Sequence, residues 1–250
     1  MQPWFRWDII QEYAPLFVDG AWMTVKSMVV CVIVGTSLGL MLGVGRLAEA
    51  RHAPLKYVLK YLVQYPVRVY VSFFRGTPLF VQILMIHFAL MPLLIHPVNG
   101  LIISGELGGY LRSVHGAFIS GVVAISLNSG AYVSEIFRAG IQSLDRGQSE
   151  ASRSLGLTYM QTMRRVILPQ AFRRMLPPLG NNAIAILKES SLVSAIGLGE
   201  LAYAARTVSG AYARYWEPYL TISLIYWVMT LMMSMFVEHL EKRYGKNDSR

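Results

Sequence analysis

The side chains of this chain that could do chemistry sit where water is scarce. Lys188, Glu189, Ser190 and Ser191 interrupt one apolar run, and Asn128, Ser129, Tyr132 and Glu135 punctuate another. Charged groups in apolar spans are costly, and those that persist line a passage or find a buried partner. Adjacent residues on a helix point in different directions, so Lys188 and Glu189 do not neutralise each other; each needs a partner on another segment, another subunit or a solute. Glu135 and Arg138, three apart, also read as a structural ion pair near one membrane face. Covalent chemistry has no comparable signature. There is no GxxxxGK[ST] phosphate loop and no HExxH, the five histidines are scattered, and Cys31 is the single cysteine. No P-loop nucleotide site, metal site or internal disulfide is expected.

Composition defines the setting for these residues. Apolar residues make up 54% of the 250 positions and charged residues 15%, where a soluble domain carries about 25%. Mean hydropathy is +0.42. Lipid is therefore the expected solvent, and the length allows five or six spans of roughly 20 residues. Long, unalternating apolar runs favour helices over a β-barrel, whose strands would alternate over about ten residues. The formal charge of +9 gathers in loops beside apolar runs, a membrane-topology pattern rather than a nucleic-acid surface. Residues 1–20 contain Asp8, Glu12 and Asp19 and do not read as a cleavable leader.

Charge also orders the spans. The first runs from about Ala21 to Gly45 and carries Gly35, Gly39 and Gly43 at four-residue spacing, a bare face for close helix approach within the chain or between subunits. Residues 46–60 hold Arg46, Arg51, Lys56 and Lys60 against Glu49, and 138–180 hold seven arginines against Asp145 and Glu150. Both stretches should lie in the cytoplasm, so 57–95 makes one net crossing, breaking near Gly76 and Pro78. An outer loop over 96–115, a span from Gly116 to Phe137, a span over 181–204 and a last span over 218–238 complete the reading. Tyr212, Tyr215 and Trp216 would anchor the last span at the interface. The expected fold is all-α, one transmembrane bundle over residues 1–250 with about five spans, N-terminus out and C-terminus in.

A loop of more than 40 residues is rarely structureless, and 138–180 carries helix punctuation. Gln148 to Leu155 reads as a short helix stopped by Gly156. Thr158 with Gln161 forms a capping box for a second helix ending near Pro169.

These residues resemble a family. Glu150-Ala151-Ser152, then Gly156, then Ile167-Leu168-Pro169 is similar to the EAA loop of ATP-binding-cassette importer permeases. Arg75-Gly76-Thr77-Pro78, Ala131-Tyr132 with Glu135 and Arg138-Ala139-Gly140-Ile141, Gly147-Gln148, Leu155-Gly156-Leu157, Leu168-Pro169-Gln170-Ala171 and Lys188-Glu189-Ser190-Ser191-Leu192 resemble the polar amino acid branch. The likeness covers roughly residues 20–240. Ser152 stands where that pattern has a second alanine, and Glu189-Ser190 stand where it has aspartate-threonine.

The resemblance implies a permease subunit that pairs with a second permease chain, the same or related. It would dock on a dimer of ATP-binding-cassette ATPases and receive a polar amino acid from an extracytoplasmic binding protein. ATP and Mg²⁺ would belong to the ATPase, leaving no cofactor in this chain, and the site would be the bacterial cytoplasmic (inner) membrane. Gly147, Gln148, Glu150, Ala151, Ser152, Leu155 and Gly156 would form the ATPase contact. Glu150 near a helix start is also favoured by the helix dipole alone. Arg75, Thr77, Asn128, Ser129, Tyr132, Glu135, Lys188, Glu189, Ser190 and Ser191 are the candidates for substrate pathway or gating. For a zwitterionic amino acid, Arg75 or Lys188 would meet the carboxylate and Glu135 or Glu189 the ammonium. A secondary transporter or channel without an ATPase partner is the alternative, and a membrane anchor for an enzyme complex ranks third. Cysteines placed at Ser104 and Ser154 should label from opposite sides of the membrane. Labelling of both from one side would overturn the single crossing over 57–95.

Overall fold

The computed structural model describes residues 4–47 and 53–245. Arg51 and Glu49 of the first basic loop, and Lys246 and Arg250 of the tail, lie outside the described residues. A short helix, α1 (Trp7–Glu12), leads into α2 (Ala14–Leu47). Two pieces follow, α3 (Pro54–Gly76) and α4 (Leu79–Leu94), bent by 107° at their junction. Then come α5 (Gly105–Gln142), the short α6 (Arg146–Ser154), and α7 over 159–189, which includes a π-helical turn at Met163–Ile167. A 3₁₀ turn, Ser190–Ile196, precedes α8 (Leu201–Tyr212) and α9 (Trp216–Gly245). Among the described residues three helices, α2, α5 and α9, are each long and apolar enough to cross a membrane, and the bent pair qualifies as a fourth, broken, span.

The glycine stripe of α2 decides the core. A Cβ on Gly35 would stand 2.8 Å from Ser129 Oγ, one on Gly39 would run into Val133 and stand 2.8 Å from the Gly130 carbonyl oxygen, and one on Gly43 would meet Phe137 at 2.6 Å. Each step of four along α2 is matched by a step of four along α5 in the same sense, so the two helices are parallel and nearly backbone to backbone. In lipid, where apolar side chains gain little by leaving solvent, such close packing is a main source of helix association. The stripe is thus an intrasubunit contact.

The other helices fix the direction of the chain. Met175 of α7 packs on Gly140 and Asn182 bonds Ser129, so α7 runs antiparallel to α5. Val237 of α9 packs on Gly180, and the Tyr226 hydroxyl reaches Glu200, so α9 runs antiparallel to α7. The C-terminal ends of α2, α5 and α9 and the start of α7 therefore share one end of the bundle with α6. Because α2 and α5 run the same way, the bent pair α3–α4 must carry the chain back between them.

Three boundaries differ from the sequence reading. The outer loop over 96–115 is helical from Gly105, and α5 is 38 residues long, about 57 Å, far beyond the ~30 Å hydrocarbon layer. Backbone hydrogen bonding thus continues into the polar interface, where hydropathy gives no signal. The helix starting at the Thr158 capping box does not end at Pro169; proline fits the continuing helix there, and Pro177 and Pro178 lie inside it. The span expected over 181–204 instead ends at Glu189, and Gly197 turns the chain at φ +87° before Glu200 caps α8. Tyr215 and Trp216, read as interface anchors, are exposed, while Tyr212 donates to Glu12 at 2.7 Å.

The packing makes contrasting substitutions informative. Gly39→Ala should destabilise by about 1–3 kcal/mol, since the intruding methyl meets backbone that cannot move aside. Gly116→Ala, whose nearest neighbour would lie 3.9 Å away, should be neutral. Thermal melting of the purified protein should show Gly39→Ala lower by at least about 2–4 °C; equal melting of the two variants would contradict the packing.

Candidate functional site

The candidate pathway residues fall into separate groups. The first is a polar clasp at the bend. The break at the end of α3 leaves carbonyls that need donors. Gln82, on the first turns of α4 and only 1% exposed, donates through Nε2 to the Phe74 carbonyl at 2.9 Å and to Thr77 Oγ1 at 2.8 Å. Asn128 of α5 donates to the same Phe74 carbonyl and to Gln82 Oε1, both at 2.9 Å. The Thr77 hydroxyl donates to the Phe73 carbonyl at 2.8 Å. Thr77 and Asn128 thus hold the broken span in shape. Gln82 was not singled out in the sequence; a lone amide in the apolar run 79–95 was the available signal. Ser129 accepts a 2.9 Å bond from Asn182, tying α5 to α7.

The second group is a charged cleft of about 590 Å³ between α5 and α7, lined by Arg75, Tyr132, Glu135, Ser143 and Arg174 among others. Glu135 does more than pair with Arg138. Arg138 grips Oε2 at 2.9 and 2.8 Å, and Arg46 of α2 donates to Oε1. Arg75, on the last turn of α3, stands 4.0 Å from Oε2 with its guanidinium 5.3 Å over the Tyr132 ring. Arg46 was counted only as loop charge in the sequence; the parallel packing of α2 on α5 brings it to Glu135.

The third group, Lys188 to Ser191, lies apart from the cleft. Ser190 and Ser191 donate to the carbonyls of Leu187 and Lys188 at 2.8 and 2.7 Å, where α7 tightens into the 3₁₀ turn. Lys188 is exposed and Glu189 half-buried, and neither side chain makes a hydrogen bond or ion pair among the described residues. Nearby, Glu200 is fully buried, accepts from the Tyr203 amide and the Tyr226 hydroxyl at 2.8 Å each, and so locks α8 to α9. Sequence reading passed over it because a glutamate at a helix cap has no distinctive spacing.

The coupling candidates form one exposed projection. Asp145 caps α6 by accepting the Gly147 amide at 2.8 Å. Gly156 takes φ +82°, which a residue with a side chain rarely adopts. The capping box is complete: Thr158 accepts from the Gln161 amide and the Gln161 side chain accepts from Thr158. Gln148, Glu150, Ala151, Leu155 and Gly156 are exposed, Leu155 by 81%. Ser152 differs from the others. It is 6% exposed and its hydroxyl bonds the Gln148 carbonyl at 2.7 Å, so it faces the chain and not a partner. Below, Arg174 of α7 donates to the Ser143 carbonyl at 2.5 Å and Gln170 lies 3.4 Å from Gln148. The projection is thereby strapped to α7 and to the wall of the cleft.

Residues 35–246 match the family described as binding-protein-dependent transport system inner membrane component. The chain belongs to that family. It is 35% identical to the arginine transport system permease protein ArtQ of Bacillus subtilis (strain 168), over 94% of each chain. It is 34% identical to the glutamine transport system permease protein GlnP of Escherichia coli (strain K12), over 96% of this chain and 97% of that one. A solved amino acid ABC transporter superposes at TM-score 0.77 with 38% identity, covering 94% of this chain and 96% of that one. The MetNI methionine ABC transporter, 18% identical, shares the fold at TM-score 0.67 over 92% and 96%. This permease is accordingly a membrane-spanning transport subunit.

The clasp at the bend is open to test. Asn128→Leu leaves the Gln82 oxygen without its donor and removes one of two donors to Phe74, a loss of about 1–3 kcal/mol. Melting temperature and uptake should both fall. Wild-type values for both would show that the bend does not depend on this residue.

Proposed function

We propose that this permease is the translocating subunit of an ATP-driven importer of polar amino acids in the bacterial inner membrane. The observation that carries the reading is the capped, exposed helix α6 with Gly156 at φ +82°, strapped to α7 at the end of the bundle where the basic residues gather. That end faces the cytoplasm by the positive-inside pattern, which places the N-terminal end of α2 outside.

In operation, two permease chains enclose the path, and an extracytoplasmic binding protein delivers the amino acid. Each α6 seats on one ATPase subunit, which holds ATP and Mg²⁺ and performs the hydrolysis. Gly147, Gln148, Glu150, Ala151, Leu155 and Gly156 make or shape this contact, while Ser152 stiffens the helix from inside. Because α6 and α7 are capped and bonded to each other, force on the Leu155 tip moves them together. Arg174, bonded to the end of α5, carries that motion to the cleft. There Arg75 and Tyr132 sit against Glu135 beside the bend held by Thr77 and Asn128, and this contact serves as the gate. Lys188 and Glu189 line the path at the end of α7, where Ser190 and Ser191 shape the turn, while Ser129 ties α5 to α7. The unpaired side chains of Lys188 and Glu189 are available to a zwitterion's two charges.

Coupling is the step to test. Ala151→Phe should spoil seating on the ATPase by about 1–3 kcal/mol, and Gly156→Val should misdirect the lever because valine resists positive φ. Both should insert normally, because neither lies in a span, and both should lose roughly tenfold in coupled hydrolysis and uptake. Normal transport in both variants would exclude α6 as the coupling element.

A further inference from the structure

The charged cleft carries more positive charge than its carboxylate can absorb. Arg46 and Arg138 occupy the two oxygens of Glu135, and Arg75, at 4.0 Å, is a third guanidinium on one acid. Its side chain is 44% exposed and turned over the Tyr132 ring at the cleft wall. Cationic groups at membrane depth are costly without a counter-charge, and guanidinium presents paired donors that match an oxyanion. The cleft reaches Ser143, just past the end of α5, on the side of the bundle where the loop arginines gather. A second, apolar groove of about 300 Å³, walled by Leu40, Phe137, Phe172 and Leu179, shares the Ile136 side chain with the cleft. A charged cavity and a greasy one thus meet at one residue, as a lipid's phosphate and its chains do.

We propose that this cleft binds the phosphate of an anionic phospholipid of the cytoplasmic leaflet, with Arg75 as its main ligand and an acyl chain passing Ile136 into the apolar groove. Basic pockets between spanning helices on the cytoplasmic side suit such headgroups. A bound phosphate would restore charge balance around Glu135 and hold the end of α3 against α5, making the gate contact dependent on lipid. The inference rests on the orientation proposed above, which the labelling of Ser104 and Ser154 positions tests separately.

The experiment uses the intact transporter in nanodiscs of phosphatidylcholine with increasing phosphatidylglycerol. Melting temperature should rise with phosphatidylglycerol, since a ligand that binds the folded state stabilises it, and native mass spectrometry should find this lipid retained. Arg75→Gln should weaken retention roughly tenfold, the loss of a charge-assisted contact, and flatten the lipid dependence of melting. Arg75→Lys, which keeps the charge, should recover most of both. Wild-type melting indifferent to phosphatidylglycerol overturns the proposal, as does equal retention by wild type and Arg75→Gln. Displacement of the lipid by free amino acid at the same site would instead assign Arg75 to the solute carboxylate and overturn the lipid assignment.

Discussion

The close parallel contact of α2 with α5 is the constraint from which the remainder of the bundle follows. Gly35, Gly39 and Gly43 bring two backbones so near that Ser129, Val133 and Phe137 fill the space their side chains would need. Two helices packed in parallel require a returning segment between them, and α3–α4 supplies it with a 107° bend. The bend leaves carbonyls that have lost their helical donors. Gln82, Asn128 and Thr77 satisfy them, which is why amides appear in runs that are otherwise apolar.

The same contact brings the charges together. Arg46 lies near the end of α2 and Glu135 near the end of α5, and the parallel register sets them side by side. With Arg138 and Arg75 they make a cluster that joins three helices at one point. A pair three residues apart would have stabilised α5 alone. A cluster drawing on α2, α3 and α5 makes their relative positions interdependent.

At the α6 end of the bundle, the backbone does the positioning. Asp145, the Thr158–Gln161 capping box and the left-handed Gly156 each fix one corner of the α6 projection. Its inner side is closed by Ser152 and the core of Leu144, Ile167, Ala171 and Met175. Its outer side leaves Leu155 and Met160 largely in water, an arrangement that suits docking on a partner.

Much of this was written locally in the chain. Apolar run length and the loop arginines determined that the chain is a helical membrane protein. The caps at 158–161 and the stop at Gly156 were legible because capping acts over three or four residues, and the motif residues resembled the right family for the same local reason. Span ends were less legible: α5 extends beyond its apolar stretch and α7 stops at Glu189, since hydrogen bonding and packing, not hydropathy, end those helices. What tertiary structure alone decided is which polar residues meet. Arg46 with Glu135 spans 89 positions, Asn128 with Gln82 spans 46, and Tyr226 with Glu200 spans 26. No periodicity in a single sequence encodes such pairings, because they follow from how helices pack across the bundle. The inward turn of Ser152 was hidden likewise: its spacing is that of its exposed neighbours, and only packing against the helix beneath determines which face is covered.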